Sequence, residues 1–233
     1  MPHSAIIFGG NDHIIEYNEI FNVVKETSDS GAVYSGRDWT ARGHIVRYNY
    51  FHDLVSIAGG QIQAVYLDDL ASGFLIHGNI FQNVQRGVML GGGRDNQILN
   101  NIFSNTNLDL YIDGRGASTR FSDNLPTSPM MKTLLPMPYQ TPPWSIRYPR
   151  LVNILKEKPG FPLGNLVEHN IFLKPGKLLI YPEAEGLIEF KQNFKEGTPN
   201  FNTVMLPNFQ VDPRSKSLEL GFTQIPFHEI GRY

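Results

Sequence analysis

No cysteine occurs among the 233 residues, which excludes disulfides, thiolate nucleophiles and cysteine-ligated metals. Charge of one sign is also missing: 20 Lys and Arg stand against 22 Asp and Glu, for a formal net charge of −2, and no basic run occurs. Nucleic-acid binding needs a basic patch or stripe, so no nucleic-acid partner is expected. No stretch reaches the roughly 18 apolar residues of a membrane span, so no membrane partner is expected either. Met1-Pro2-His3-Ser4 has no charged start followed by an apolar run, and no signal peptide is read there. Before residue 115, Gly and Asn interrupt every window in which apolar residues could recur at three- and four-residue spacing, so an amphipathic helix is excluded from that half.

What the sequence does contain is repetition. Ile14-Ile15-Glu16-Tyr17-Asn18-Glu19-Ile20-Phe21 returns as Ile45-Val46-Arg47-Tyr48-Asn49-Tyr50-Phe51-His52, as Leu75-Ile76-His77-Gly78-Asn79-Ile80-Phe81-Gln82 and as Ile98-Leu99-Asn100-Asn101-Ile102-Phe103. A late copy spans Leu166-Val167-Glu168-His169-Asn170-Ile171-Phe172, and a weaker one ends at Asn193. A second motif alternates with the first: Ile6-Ile7-Phe8, Val33-Tyr34-Ser35, Val65-Tyr66-Leu67, Val88-Met89-Leu90 and Leu110-Tyr111-Ile112. Each repeat thus carries at least two short strands between Gly, Asn and Asp turns. Asn tolerates the left-handed turn conformation, and stacked Asn side chains can bond from rung to rung, so Asn18, Asn49, Asn79 and Asn101 should form one column about 5 Å apart. A second polar column, Asn22, Asp53, Asn83 and Asn105, comes four residues after the first.

The sequence therefore reads as all-β, a right-handed parallel β-helix of the pectate-lyase-like solenoid kind, forming a single domain over 1–233. Rungs occupy 5–114 and late rungs 165–195. Nine of the 16 prolines fall between Pro126 and Pro162, which marks 115–164 as a long insertion, a functional loop or cover. Leu151 to Lys158 is expected to form one short helix within it. The irregular tail, 196–233, is expected to wrap the C-terminal end of the stack, where a solenoid needs a cap. The first rung begins within five residues of Met1, so its edge is expected to lie open and to pair with a second copy as a homodimer.

Along the second motif, side chains alternate between core and solvent. Val33, Val65, Val88 and Leu110 point inward; Tyr34, Tyr66, Met89 and Tyr111 point outward, followed by Gly36, Asp68, Gly91 and Asp113. Tyrosines beside carboxylates make a plausible saccharide platform, although Tyr is also simply a good strand former. Rung geometry places Asp38 roughly 8 Å from Asp68 and roughly 6 Å from Asp69, while Asp68 and Asp113 stand near 10 Å apart, two rungs removed. Glycosidic hydrolysis uses two acids about 5–5.5 Å apart when retaining and roughly 6.5–9.5 Å when inverting, so these spacings permit that chemistry. Asp29 lies in a turn. Acids at such positions also commonly cap backbone N–H groups. Arg37 and Arg115 flank the acids and can hold an anionic sugar or pair with the aspartates. His13 and His44 share a column, yet Phe74 and Asn96 fill its next places, so stacked turn residues are expected there and no metal. Gly91-Gly92-Gly93 lacks the helix and the Lys-Ser/Thr of a phosphate cradle and reads as a turn.

Asn11-Asp12-His13, the stretch from Glu26 through Asp29, Tyr34, Arg37, Asp38 and Trp39 to Thr40, Tyr66-Leu67-Asp68-Asp69, Gly91-Gly92-Gly93-Arg94-Asp95-Asn96, Ile112-Asp113-Gly114-Arg115-Gly116 and Arg147-Tyr148-Pro149 together resemble a bacterial family of carbohydrate-active β-helices. The nearest named likeness is glycoside hydrolase family 141, α-L-fucosidases and xylanases, over its C-terminal part. The resemblance implies a hydrolase of plant or algal polysaccharides or oligosaccharides, exported, using two aspartates and no cofactor. It implies a catalytic pair of Asp29 or Asp38 with Asp68 or Asp69. Asp29 and Asp69 are preferred on the resemblance, with Asp38 and Asp68 as orienting neighbours, although rung geometry favours Asp38 equally. Tyr34, Tyr66, Arg37, Trp39, Tyr111, Asp113 and Arg115 are expected against the substrate. Members of that family are longer, with several hundred residues ahead of the point where this chain starts, which leaves room for a different class of function. A non-catalytic carbohydrate-binding or structural solenoid would keep the platform without turnover, and a polysaccharide lyase would need a Lys, Arg or His base.

Overall fold

The computed structural model describes residues 1–174, 176–195 and 204–231. The chain is mostly β. Strands β1 (Ile6–Ile7), β2 (Ile14–Glu16) and β3 (Glu19–Phe21) make a first rung, and β4 (Ser30–Gly36), β5 (Ile45–Arg47) and β6 (Tyr50–Leu54) a second. β7 (Ile62–Asp68), β8 (Leu75–His77) and β9 (Ile80–Val84) make a third, and β10 (Arg86–Gly91), β11 (Gln97–Leu99) and β12 (Ile102–Ser104) a fourth. β13 (Leu108–Asp113), β14 (Asn165–Glu168) and β15 (Ile171–Leu173) make a fifth, and β16 (Lys177–Ile180), β17 (Ile188–Lys191) and β18 (Phe194–Lys195) a sixth. Taking every third strand gives three parallel six-stranded sheets. Sheet A runs β1-β4-β7-β10-β13-β16, sheet B contains β2 through β17, and sheet C contains β3 through β18. This arrangement is consistent with a β-helix. The first sequence motif proves to be two strands, split at the Asn into sheets B and C.

The split has a local cause. Tyr17, Tyr48, Asn100, His169 and Gln192 all take positive φ, as does Gly78, and each turns the backbone just before the Asn. The Asn side chains then stack as expected. Asn18 Nδ2 donates to Asn49 Oδ1 (2.9 Å), Asn49 to Asn79 (3.0 Å), Asn79 to Asn101 (3.0 Å), Asn101 to Asn170 (2.9 Å) and Asn170 to Asn193 (2.9 Å). Inside sheet C, Phe51, Phe81, Phe103 and Phe172 stack at 4.8–5.1 Å between ring centres. Val33, Val65, Val88 and Leu110 from sheet A and Val46, Ile76, Ile98 and Val167 from sheet B fill the rest of the interior. At the first rung, the carbonyls of Met1, Pro2 and His3 accept from the N–H groups of Lys25, Glu26 and Val24.

One charge stands inside this wall. Asp109 in β13 is buried, bonded by the Thr106 hydroxyl, and its second oxygen has no partner among the described residues. Burial pushes its carboxyl up to about 6, against weaker lowering by hydrogen bonds from Thr106 and the Gly176 backbone. The folded-state value is raised, so its contribution to stability is complete below the unfolded value near 3.8 and is lost as pH rises through about 6. The loss should be about 3 kcal/mol. Denaturant titrations at pH 4 and pH 8 should show this decline in the wild type and not in Asp109→Asn; equal pH dependence in both would refute it.

Two expectations need correction. Leu151 to Lys158 is not a helix; a single 3-10 turn, Pro149–Leu151, precedes a run of turns. The insertion instead carries α1 (Thr119–Asn124), α2 (Pro129–Leu134) and α3 (Trp144–Arg147). The first two are capped by Ser118 and Ser128, whose hydroxyls accept from Phe121 N–H and Met131 N–H. The insertion leaves the sheet-A strand of the fifth rung and returns into sheet B, and it folds back over the corner joining those sheets. Met130, Leu134, Tyr139, Leu151 and Ile154 pack there on Trp39 and Leu70. Ion pairs Arg147–Asp12 (2.8 Å), Arg150–Asp95 (3.3 Å) and Arg94–Glu157 (3.2 Å) tie it down.

The tail, of which 196–203 and 232–233 lie outside the described residues, does not gather at the C-terminal end. β19 (Val204–Met205), β20 (Gln210–Val211), α4 (Lys216–Glu219) and residues 220–231 lie along the outer side of sheet C. Val204, Phe209, Val211, Phe222 and Ile225 cover Ile80, Ile102 and Ile171. Thr223 exchanges hydrogen bonds with the Asn100 side chain in the fourth rung, and Gly231 N–H reaches Tyr17 O in the first (3.0 Å). A sheet apolar on both faces needs such a cover.

Candidate functional site

The corner between sheets A and B gathers most of the acids singled out in the sequence. In sheet A, Gly36, Asp68, Gly91 and Asp113 form one column, set by the pairing of β4, β7, β10 and β13. Gly91 therefore lies between two carboxylates two rungs apart. A Cβ on Gly91 would stand 3.0 Å from Cζ of Arg115, so the absent side chain is the space the guanidinium occupies. From there Arg115 donates through Nη2 to Asp113 (2.7 Å) and through Nη1 to Asp68 (2.8 Å) and Asp69 (3.0 Å). Asp69 also accepts from Arg37 Nε (2.8 Å), and Asp68 from Tyr34 OH (2.9 Å) and the Asp69 N–H (2.8 Å). Because one nitrogen holds both Asp68 and Asp69, their nearest oxygens are no more than about 6 Å apart, close to the spacing of a retaining pair.

The electrostatics arise from these contacts. Burial raises Asp69, but hydrogen bonds from Arg37 and Arg115 outweigh it and hold its carboxyl below the usual range. Asp69 is 36% exposed, whereas Asp68 and Asp113 are 8% and 9% exposed. The Tyr34 phenol is pushed up to about 12 by burial and by its bond to Asp68. Burial likewise raises Tyr66, joined by the charge of Asp68 and a bond to Asp29. These phenols are hydrogen-bond donors at neutral pH, and Asp69 is an ionised acceptor.

Other candidates from the sequence are dispersed. Asp29 is exposed in its turn at positive φ and accepts from Tyr66 OH (2.9 Å). Tyr66 in turn packs edge-on against Tyr34 and is buried, so it offers no ring to a ligand. Asp38 caps its own turn, with one oxygen accepting from Thr40 N–H (2.8 Å) and the Thr40 hydroxyl (2.7 Å). Trp39, expected against substrate, is 1% exposed and anchors the insertion. Tyr111 is half-buried, with Tyr181 beside it and the Arg86 guanidinium over its ring. His13 and His44 stack with ring centres 5.4 Å apart, and His44 Nδ1 accepts from His13 N–H. Asn96 and Asn165 play the same part in their column, accepting from Phe74 N–H and Asn96 N–H. A Cβ on Gly93 would collide with Ala71 O, which makes the glycine run a tight turn.

Above the arginines, between the corner and the insertion, lies a cleft of about 760 Å³. Arg37, Asp69, Arg115 and Arg120 are its charged lining, and Leu70, Phe121 and Met130 line it with apolar groups. Comparison with family models, with curated proteins and with solved structures finds no match to this chain. The site therefore has to be read from its own chemistry. Sequence reasoning missed Arg120 and Phe121, although Ser118 two and three residues earlier is a usable helix-start signal.

Proposed function

We propose that this chain is a right-handed parallel β-helix that binds a saccharide in the cleft between the sheet A–sheet B corner and the insertion. The handedness accords with the near-universal right-handed crossover between parallel strands of one sheet. One observation carries the functional reading: a cleft of about 760 Å³ is lined both by the apolar Leu70, Phe121 and Met130 and by the charged Arg37, Asp69 and Arg115. A sugar has the matching mixture, C–H faces for the apolar residues and hydroxyls for the charged groups. Phe121 takes the platform role that the buried Tyr66 cannot fill. Affinity electrophoresis against a panel of plant and algal polysaccharides tests this. Retardation by at least one polymer, lost in Phe121→Ala, is expected; no retardation by any would overturn it.

A second reading, a glycoside hydrolase of the family 141 kind, is favoured by the close approach of Asp68 and Asp69. It shifts the partner of Asp69 from Asp29 to Asp68, because Asp29 lies against Tyr66 while Asp68 shares Arg115 with Asp69; of the three, only Asp69 lines the cleft. Asp69, held ionised, would serve as nucleophile or base. A general acid would need a carboxyl kept protonated, and arginine pairing works against that. Release of reducing ends that disappears in Asp69→Asn would establish the hydrolase.

A further inference from the structure

We infer that the cleft selects saccharides carrying an anionic group, a uronate carboxylate or a sulfate ester, held by Arg37 and Arg120; this rests on the saccharide reading above. Three guanidiniums and one carboxylate line the cleft, and that carboxylate, Asp69, already accepts from two of the three. Arg115 is committed to Asp68, Asp69 and Asp113 and supports the site without offering an edge. Arg37 is 62% exposed and pairs with Asp69 through Nε, its Nη2 lying 3.9 Å from Asp68. One face of that guanidinium therefore remains for a ligand. Arg120 lines the same cleft, is exposed, and has no carboxylate within ion-pair distance among the described residues.

Arg120, unpaired among the described residues, and the outer edge of Arg37 line one cleft, while Asp68 and Asp113 are covered by Arg115 beneath it; an added negative charge matches the two donors that remain. A neutral sugar would leave Arg120 to water. An anionic one would gain charge-assisted hydrogen bonds, about twice as strong as neutral ones. Phe121, one residue after Arg120, sets the sugar ring beside the charge it recognises.

The test compares matched polymers: polygalacturonate against its carboxyl-reduced form, and a sulfated galactan against its desulfated form. Binding is read by calorimetry for the wild type, Arg37→Gln and Arg120→Gln, with inorganic sulfate as a small-anion probe read by thermal shift. The expected result is binding to one charged polymer and not to its neutral counterpart, weakened roughly tenfold or more in each variant, as for one charge-assisted bond. The charged polymer that binds tells carboxylate from sulfate. Equal binding of charged and neutral forms, untouched by either variant, would overturn the inference and leave the saccharide reading standing. Stabilisation by sulfate that Arg120→Gln removes, with no polymer bound, would sustain the anion site and overturn the saccharide reading.

Discussion

Replacing Arg115 with Met is expected to lower the unfolding free energy by about 3 kcal/mol. The substitution keeps much of the aliphatic stem and removes the one cation that Asp68 and Asp113 share across Gly91. Asp68 would retain Tyr34 OH and a backbone N–H, and Asp113 only the N–H of residue 115. Stranding one partner of a fully buried ion pair costs about 3–5 kcal/mol. The guanidinium is 32% exposed, so water screens part of the interaction and the lower end applies. Urea denaturation measures it, and Asp113→Asn added to Arg115→Met should recover part of the loss. A midpoint unchanged by Arg115→Met would show that the bridge is incidental.

Asn79→Leu should cost more, about 3–5 kcal/mol. Asn79 is wholly buried and sits mid-ladder. Its Oδ1 accepts from both the backbone N–H and Nδ2 of Asn49, and its Nδ2 donates to Val46 O and Asn101 Oδ1. Leu fits the volume and satisfies none of this, leaving the Asn49 N–H without its acceptor and Val46 O without that donor. Each unsatisfied buried group costs about 1–3 kcal/mol. Asn193→Leu, at the half-buried end of the same ladder, should cost about half as much because water can replace Asn193 as acceptor for Asn170. Equal losses at the two positions would mean that burial does not set the cost.

The fold was legible where one residue type had to recur. Asn18, Asn49, Asn79 and Asn101 announce a column because each donates to the Asn of the next rung, and the inward Val and Phe columns repeat for the same reason of stacking. The tail was legible too, had both halves of Asn-Ile-Phe been weighed. Phe81 and Phe103 face the core, so Ile80 and Ile102 face outward, and an apolar residue on both faces calls for a second layer. The insertion helices had their start signals in Ser118 and Ser128-Pro129, overshadowed by the density of proline around them.

The site was less legible, because it depends on what lies between residues. Asp68 and Asp113 are too far apart by rung count to share a proton or a sugar bond easily, yet that distance suits a guanidinium placed between them. Gly91 read as a turn residue; its role as the floor under Arg115 emerges only when its rung neighbours are known. Tyr66 was expected at the ligand because strand alternation points its side chain outward, and Trp39 because the resemblance implied it. Neither signal can say that another part of the chain, or a neighbouring ring, will cover them.

The tail's path along sheet C alters how the stack should come apart. A linear array of repeats, each touching only its neighbours, unravels from its ends, and its terminal rungs open at little cost. Here a segment that comes after the sixth rung in sequence is bonded to the fourth through Thr223 and Asn100 and to the first through Gly231 and Tyr17. Opening the first rung therefore releases the tail as well, and peeling the tail away bares Ile80, Ile102 and Ile171 in the middle of the stack. The two ends of a quasi-one-dimensional object are made to share one fate, and amide protons near Tyr17 should exchange in step with those near Ile102.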